Sequence, residues 1–134
     1  MAKNNWAGEL SNFDLDGHEG LAEQLEAARD VLAKETADAE ALFAEHPFVL
    51  KRGELILDGT IDLLAKFSPS SSLRAGNRWK IFDYKFSNES PEAVLKTYSP
   101  QLAAYQEAVE KLNPGAEVSA ALVLIGKSVC VISA

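Results

Sequence analysis

The chain has 134 residues, 47% apolar and 25% charged, a composition that supplies one hydrophobic core and is too short for two domains. Its formal net charge of −7, from 13 basic and 20 acidic residues, argues against a protein that holds nucleic acid by a basic surface alone. The single cysteine, Cys130, excludes a disulfide framework and metal sites of the all-cysteine kind, and its apolar surroundings predict a buried thiol. No apolar run approaches the ~20 residues of a membrane span, and the N-terminus lacks a signal-peptide profile, so a cytoplasmic location away from membranes is expected.

Residues 1–19 carry no sustained period and are rich in Asn, Asp and Gly, which reads as a loose lead-in. Asp14-Leu15-Asp16-Gly17 matches only the start of a calcium loop and lacks its later ligands, so a turn is expected there. From Gly20 to Ala44 the pattern is helical: Leu21, Leu25, Ala28, Leu32, Ala39 and Leu42 recur at spacings of three, four and seven. Ala37-Asp38 offers a break, which would divide residues 20–44 into two helices. Glu23, Glu26, Arg29, Asp30 and Lys34 form the opposite, solvated face. Pro47 is expected to close the helical region, Phe48–Lys51 to form a short strand and Arg52-Gly53 to turn.

Glu54–Lys66 then runs extended, with Gly59 marking a bulge or a close backbone approach. Regular alternation assigns Ile56, Asp58, Thr60, Asp62 and Leu64 to one face and Leu55, Leu57, Ile61 and Leu63 to the other. Asp62 thereby falls in an apolar neighbourhood, where a carboxylate needs a partner. After a Ser/Pro/Gly-rich hairpin connection over 68–77, Trp79–Lys85 reads as a strand whose Ile81, Asp83 and Lys85 share one face and Phe82, Tyr84 and Phe86 the other. Asp83 and Lys85 are then about 7 Å apart along the strand, at roughly 3.3 Å per residue. Two adjacent charges on one face of a core strand carry a desolvation cost that packing does not offset. An edge strand with a surface ion pair, worth under ~1 kcal/mol, is the competing reading.

Ser90-Pro91 predicts a helix start, and Ser99-Pro100 repeats the signal for a second helix ending at Asn113-Pro114-Gly115. On that second helix Gln101 and Tyr105 fall about 40° apart, bordering the apolar stripe of Leu102, Val109 and Leu112, with Tyr98 three residues before Gln101. Val118–Ile125 and Lys127–Ser133 read as a hairpin joined at Gly126. The order of helix, three strands, helix and two strands gives an α/β fold: one domain with a mixed central sheet flanked by helices and its core over 47–134.

The ordered set Gly59-Thr60-Ile61-Asp62, Asp83-Tyr84-Lys85 and Tyr98-Ser-Pro-Gln101-Leu-Ala-Ala-Tyr105 resembles the RecB-like branch of the PD-(D/E)xK nuclease superfamily. The resemblance runs from about Glu45 to Ile132 and is closest to the C-terminal nuclease domain of AddA- and RecB-type bacterial helicase–nucleases. It implies a restriction-endonuclease-like fold and a Mg²⁺- or Mn²⁺-dependent DNA exonuclease of DNA repair and recombination. The implied partners are DNA and a helicase domain in the same or a partner chain, with this chain a piece of a longer protein.

By the same resemblance Asp62 and Asp83 would bind metal, the backbone carbonyl of Tyr84 would complete the coordination, and Lys85 would orient or activate the attacking water. Gln101, Tyr105 and Tyr98 would position DNA or brace the site. The branch carries an upstream metal-ligating histidine that this sequence does not match well. His18, ahead of the long helix, is one candidate, and Glu45, at a recurrent acidic position before the Pro-Phe strand, is the better auxiliary ligand. The lone cysteine excludes the iron–sulfur relatives. A competing function is the same fold retained as a non-catalytic module for DNA-end binding or subunit docking.

Overall fold

A computed structural model describes residues 21–68, 77–126 and 128–134. The elements are α1 (Leu21–Glu35), β1 (Ala41–Arg52), β2 (Leu55–Phe67), β3 (Arg78–Phe86), α2 (Pro91–Leu112), β4 (Glu117–Ile125) and β5 (Val129–Ser133). The strands form one mixed sheet in the order β1-β2-β3-β4-β5. The β3–β4 pair is parallel and the other three pairs are antiparallel. The lead-in with its calcium-like turn, and the connection over 69–76, lie outside the described residues. No helix among the described residues is long and apolar enough to cross a membrane.

The two helices cover opposite faces. Leu25, Ala28 and Leu32 of α1 pack on Leu63, Ala65, Phe82, Tyr84, Ala121 and Val123. Val94, Leu102, Tyr105, Ala108 and Val109 of α2 pack on Leu50, Ile61, Leu64, Ile81, Ala120 and Leu122. Phe82 and Ile81 are both fully buried, on opposite faces, and each contributes about 1.5–3 kcal/mol by its removal from water. The faces of β3 thus alternate as its sequence predicts. The strand is the third of five, which rules out the edge-strand reading of Asp83 and Lys85.

Several expectations are corrected. The break offered at Ala37-Asp38 is present, but no second helix follows it. Helix α1 stops at Glu35, where Thr36 N–H makes the last four-back bond to Leu32 (2.9 Å) and Ala37 and Ala39 N–H bond carbonyls only three residues back (3.4 and 3.0 Å) in a tight turn. Residues 41–44, expected to be helical, are strand: Glu40 N–H already bonds the Lys66 carbonyl at 2.7 Å. Pro47 does not bound an element. It sits within β1, an outer strand, where a missing N–H need not face a neighbour.

Ser99-Pro100 starts no second helix either. Helix α2 is continuous, begins at the Ser90 cap and carries Pro100 inside it. Pro100 and Lys96 are both exposed, so water can take the Lys96 carbonyl that Pro100 cannot bond, while Ser99 Oγ bonds the Leu95 carbonyl at 2.6 Å. Cys130, predicted buried, is half-buried on the outer strand β5.

Alternation also fails at one place. Leu42 lies on the α1 face while Phe48 and Leu50, of the same parity, lie on the α2 face. In β2, Ile61 and Leu64 both face α2 and Leu63 faces α1, so the even-odd assignment of Asp62 with Thr60 and Leu64 does not hold. The β1–β2 ladder runs from Ala41–Lys66 to Arg52–Leu55 and omits the Glu45–Asp62 pair. Glu45 has φ 50°, the only non-glycine residue with positive φ among the described residues.

Candidate active site

The same point is where β2 leaves β3. Their pairing runs from Phe67–Arg78 to Leu63–Phe82 and stops. Beyond it the Asp62 carboxylate accepts the Tyr84 N–H at 2.9 Å, standing in for a main-chain acceptor. The N–H and C=O of one extended residue point to the same side, so the Tyr84 carbonyl faces this gap as well. Asp83 projects from β3 on the α2 face, and its carboxyl lies close enough to that of Asp62 to share a proton. Lys85 Nζ is 3.3 Å from Asp83 Oδ2.

Asp83 is 2% exposed. Burial, and then the adjoining Asp62 carboxyl, push its pKa up to about 7 against the opposing pull of Lys85. Asp83 Oδ2 is buried and makes no hydrogen bond, only the ion pair with Lys85. Burial and the charges of Asp83 and Asp62 push the Tyr105 phenol up to about 12, so it stays a neutral O–H donor beside them. A buried carboxyl beside a half-buried one, with one ammonium, is a costly arrangement for a core unless a cation completes it.

The model of the PD-(D/E)XK nuclease superfamily matches residues 4–129. The chain belongs to the PD-(D/E)XK nuclease superfamily. Comparison with curated proteins finds no match.

Nucleases of this superfamily typically use divalent metals such as Mg²⁺. The residues present fit such an ion. Asp62 and Asp83 offer hard oxygen donors from neighbouring strands, Asp83 Oδ2 lacks a hydrogen bond, and the Tyr84 carbonyl faces the same gap. Among the described residues no group of three His, Cys, Asp or Glu side chains gathers. Two carboxylates would therefore leave the remaining positions to water and phosphate, as magnesium favours.

The other residues singled out from the sequence divide. Tyr105 is buried and close enough to both acids to feel their charges, with its ring edge-on to Phe48 at 5.0 Å between centroids. Tyr98 is half-buried and carries Lys85 Nζ over its ring, 4.2 Å from the centroid. Gln101 is exposed. Glu45 stands across from Asp62 in register, yet its side chain is exposed and does not join the two aspartates in a three-ligand group. His46 lines an apolar cavity of about 220 Å³ with Phe43, Phe48, Ile61 and Trp79. His18 lies outside the described residues.

Sequence reasoning missed Phe48, whose ring supports Tyr105 from β1. A signal for it existed. Phe48 pairs with Gly59, where a Cβ would meet the Phe48 ring at 2.8 Å, so the glycine marked a close approach and not a bulge.

Proposed function

We propose that this member of the superfamily is a divalent-metal-dependent deoxyribonuclease domain of the RecB-like branch, acting as the exonuclease module of a DNA repair and recombination helicase–nuclease. The observation that carries the reading is the convergence of the Asp62 and Asp83 carboxyls with Lys85 Nζ, 3.3 Å from Asp83. Asp62, Asp83 and the Tyr84 carbonyl would hold the ion. When bound, a divalent cation supplies Lewis acidity toward the phosphate and lowers the pKa of coordinated water.

The chain's own groups account for the remainder. Lys85 directs an ammonium toward the point where negative charge accumulates on the phosphate, and it orients the attacking water. Tyr105, held as a neutral phenol, donates toward the same point. Asp62 fixes β3 against the gap through the Tyr84 N–H. Gln101, one turn before Tyr105 on α2, lies along the approach of the DNA backbone, and Tyr98, about two turns before Tyr105, braces the site. The net charge of −7 is consistent with a strand delivered by a motor domain and not captured from solution.

The test is cleavage of end-labelled single- and double-stranded DNA with Mg²⁺ or Mn²⁺, alongside Lys85→Ala. The wild type should cleave only with metal, and Lys85→Ala should lose about 100-fold or more, the scale of removing one charge-stabilising group. Equal cleavage by the two proteins would overturn the assignment. DNA binding without metal-dependent cleavage by the wild type would leave a non-catalytic module.

A further inference from the structure

Two groups hold the Lys85 ammonium. Asp83 Oδ2 lies 3.3 Å away on one side, and the Tyr98 ring centroid 4.2 Å away on the other. The lysine side chain is 22% exposed, and its flexible stem gives it a route to water if neither contact held it. Asp83 cannot do this alone. A cation held by Asp83 would compete with Lys85 for the charge of that carboxylate and so would weaken the pair. The ring face keeps its attraction in either state, because it depends on the aromatic quadrupole and not on Asp83.

Tyr98 is also well placed to stay still. It packs against the cluster under α2 with Leu102 and Tyr105. The turn that carries it is tied by Ser99 Oγ to the Leu95 carbonyl and by Thr97 Oγ1 to the Ala93 carbonyl. We propose that Tyr98 is a positioning residue for Lys85, and that its ring face, not its hydroxyl, keeps the ammonium beside the Asp62–Asp83 pair. This inference rests on the role given to Lys85 under the proposed function.

The experiment is a ring series at position 98, read with and without metal. In the metal-free protein, the Lys85 Cε protons of the wild type and Tyr98→Phe should be displaced upfield by the ring current, and those of Tyr98→Leu should not. In the loaded enzyme Tyr98→Phe and Tyr98→Trp should stay within about twofold of wild-type kcat. Tyr98→Leu should lose about tenfold in kcat with KM unchanged, equivalent to about 1.4 kcal/mol of barrier. Tyr98→Met replaces Tyr98→Leu if the latter fails to fold, since it fills similar space without a ring.

Equal losses in Phe and Leu variants, a loss confined to KM, or a flat series would each overturn the proposal. So would Lys85 proton shifts that do not respond to removal of the ring. If Lys85→Ala retained wild-type cleavage, the role of Lys85 itself would fall. A flat Tyr98 series beside a dead Lys85→Ala would remove only the positioning role.

Discussion

Glu45 and Asp62 stand opposite one another on β1 and β2 at the one place where that ladder omits a pair, and both strands change face there. The backbone at Glu45 turns through φ 50°, a conformation that side chains disfavour. That turn lets Leu42 reach the α1 face while Phe48 and Leu50 reach the α2 face. Beside it, Asp62 turns its carboxylate to Tyr84 N–H in place of a regular strand pair.

Position 45 therefore separates backbone from side chain. Glu45→Gly should fold at least as stably as the wild type, because glycine adopts positive φ without strain. Glu45→Val should be destabilised by about 1–2 kcal/mol, since a β-branched residue is poorly accommodated there. Urea denaturation midpoints of the two variants check this. An unchanged cleavage rate in Glu45→Gly would add that the Glu45 carboxylate takes no part in the chemistry.

The raised pKa of Asp83 makes the stability of the metal-free protein depend on pH. The carboxyl holds its proton to about 7 in the folded state and to 3.8 ordinarily, so between those values the folded protein binds more protons than the unfolded chain. Stability must then fall as pH rises through that window, by up to about 4 kcal/mol, and level off above pH 7. If the proposed site takes Mn²⁺ on the ionised pair, saturating Mn²⁺ should reverse the loss, and its stabilising effect should grow from pH 5 to pH 8. Melting temperatures across that range, with chelator and with metal, measure both slopes.

Removing one charge from the pair should separate stability from function. Asp83→Asn leaves the shape almost unchanged and abolishes like-charge repulsion, so the metal-free protein should melt no lower than wild type at pH 8. The same variant should lose the Mn²⁺-induced rise in melting temperature and its cleavage activity together. A retained Mn²⁺ shift would mean that the ion binds elsewhere.

The sequence carried most of the architecture because its signals were local. Ser90-Pro91 capped α2, and the alternation of Ile81, Phe82, Asp83, Tyr84 and Lys85 gave the faces of β3 correctly. The misread parts have equally local causes. Ala39 and Leu42 fit a helical spacing as well as a loop and a strand, and only the long-range pairing of residues 40–44 with β2 decides between them. Pro100 looked like a boundary because its solvated position could not be known. The fault at Glu45 and Asp62 left no mark, since a glutamate does not announce positive φ. Asp62, Asp83 and Lys85 were legible as a set, while the Tyr98 ring over Lys85 depends on how α2 crosses the sheet.

Gly59 links the fold to the site through one aromatic pair. A Cβ at Gly59 would lie 2.8 Å and 3.2 Å from two atoms of the Phe48 ring. That ring cannot simply retreat, because it meets Tyr105 edge-on at 5.0 Å, and Tyr105 in turn feels Asp83 and Asp62. Gly59→Ala should therefore cost about 1–3 kcal/mol of stability, the usual scale for overpacking, and should also lower kcat by displacing Tyr105. Pairing it with Phe48→Leu tests the route. The smaller side chain makes room for the new methyl, so the double variant should be less destabilised than the sum of its parts. Strictly additive losses in urea midpoint would show that Gly59 acts through its own backbone and not through the Phe48 ring.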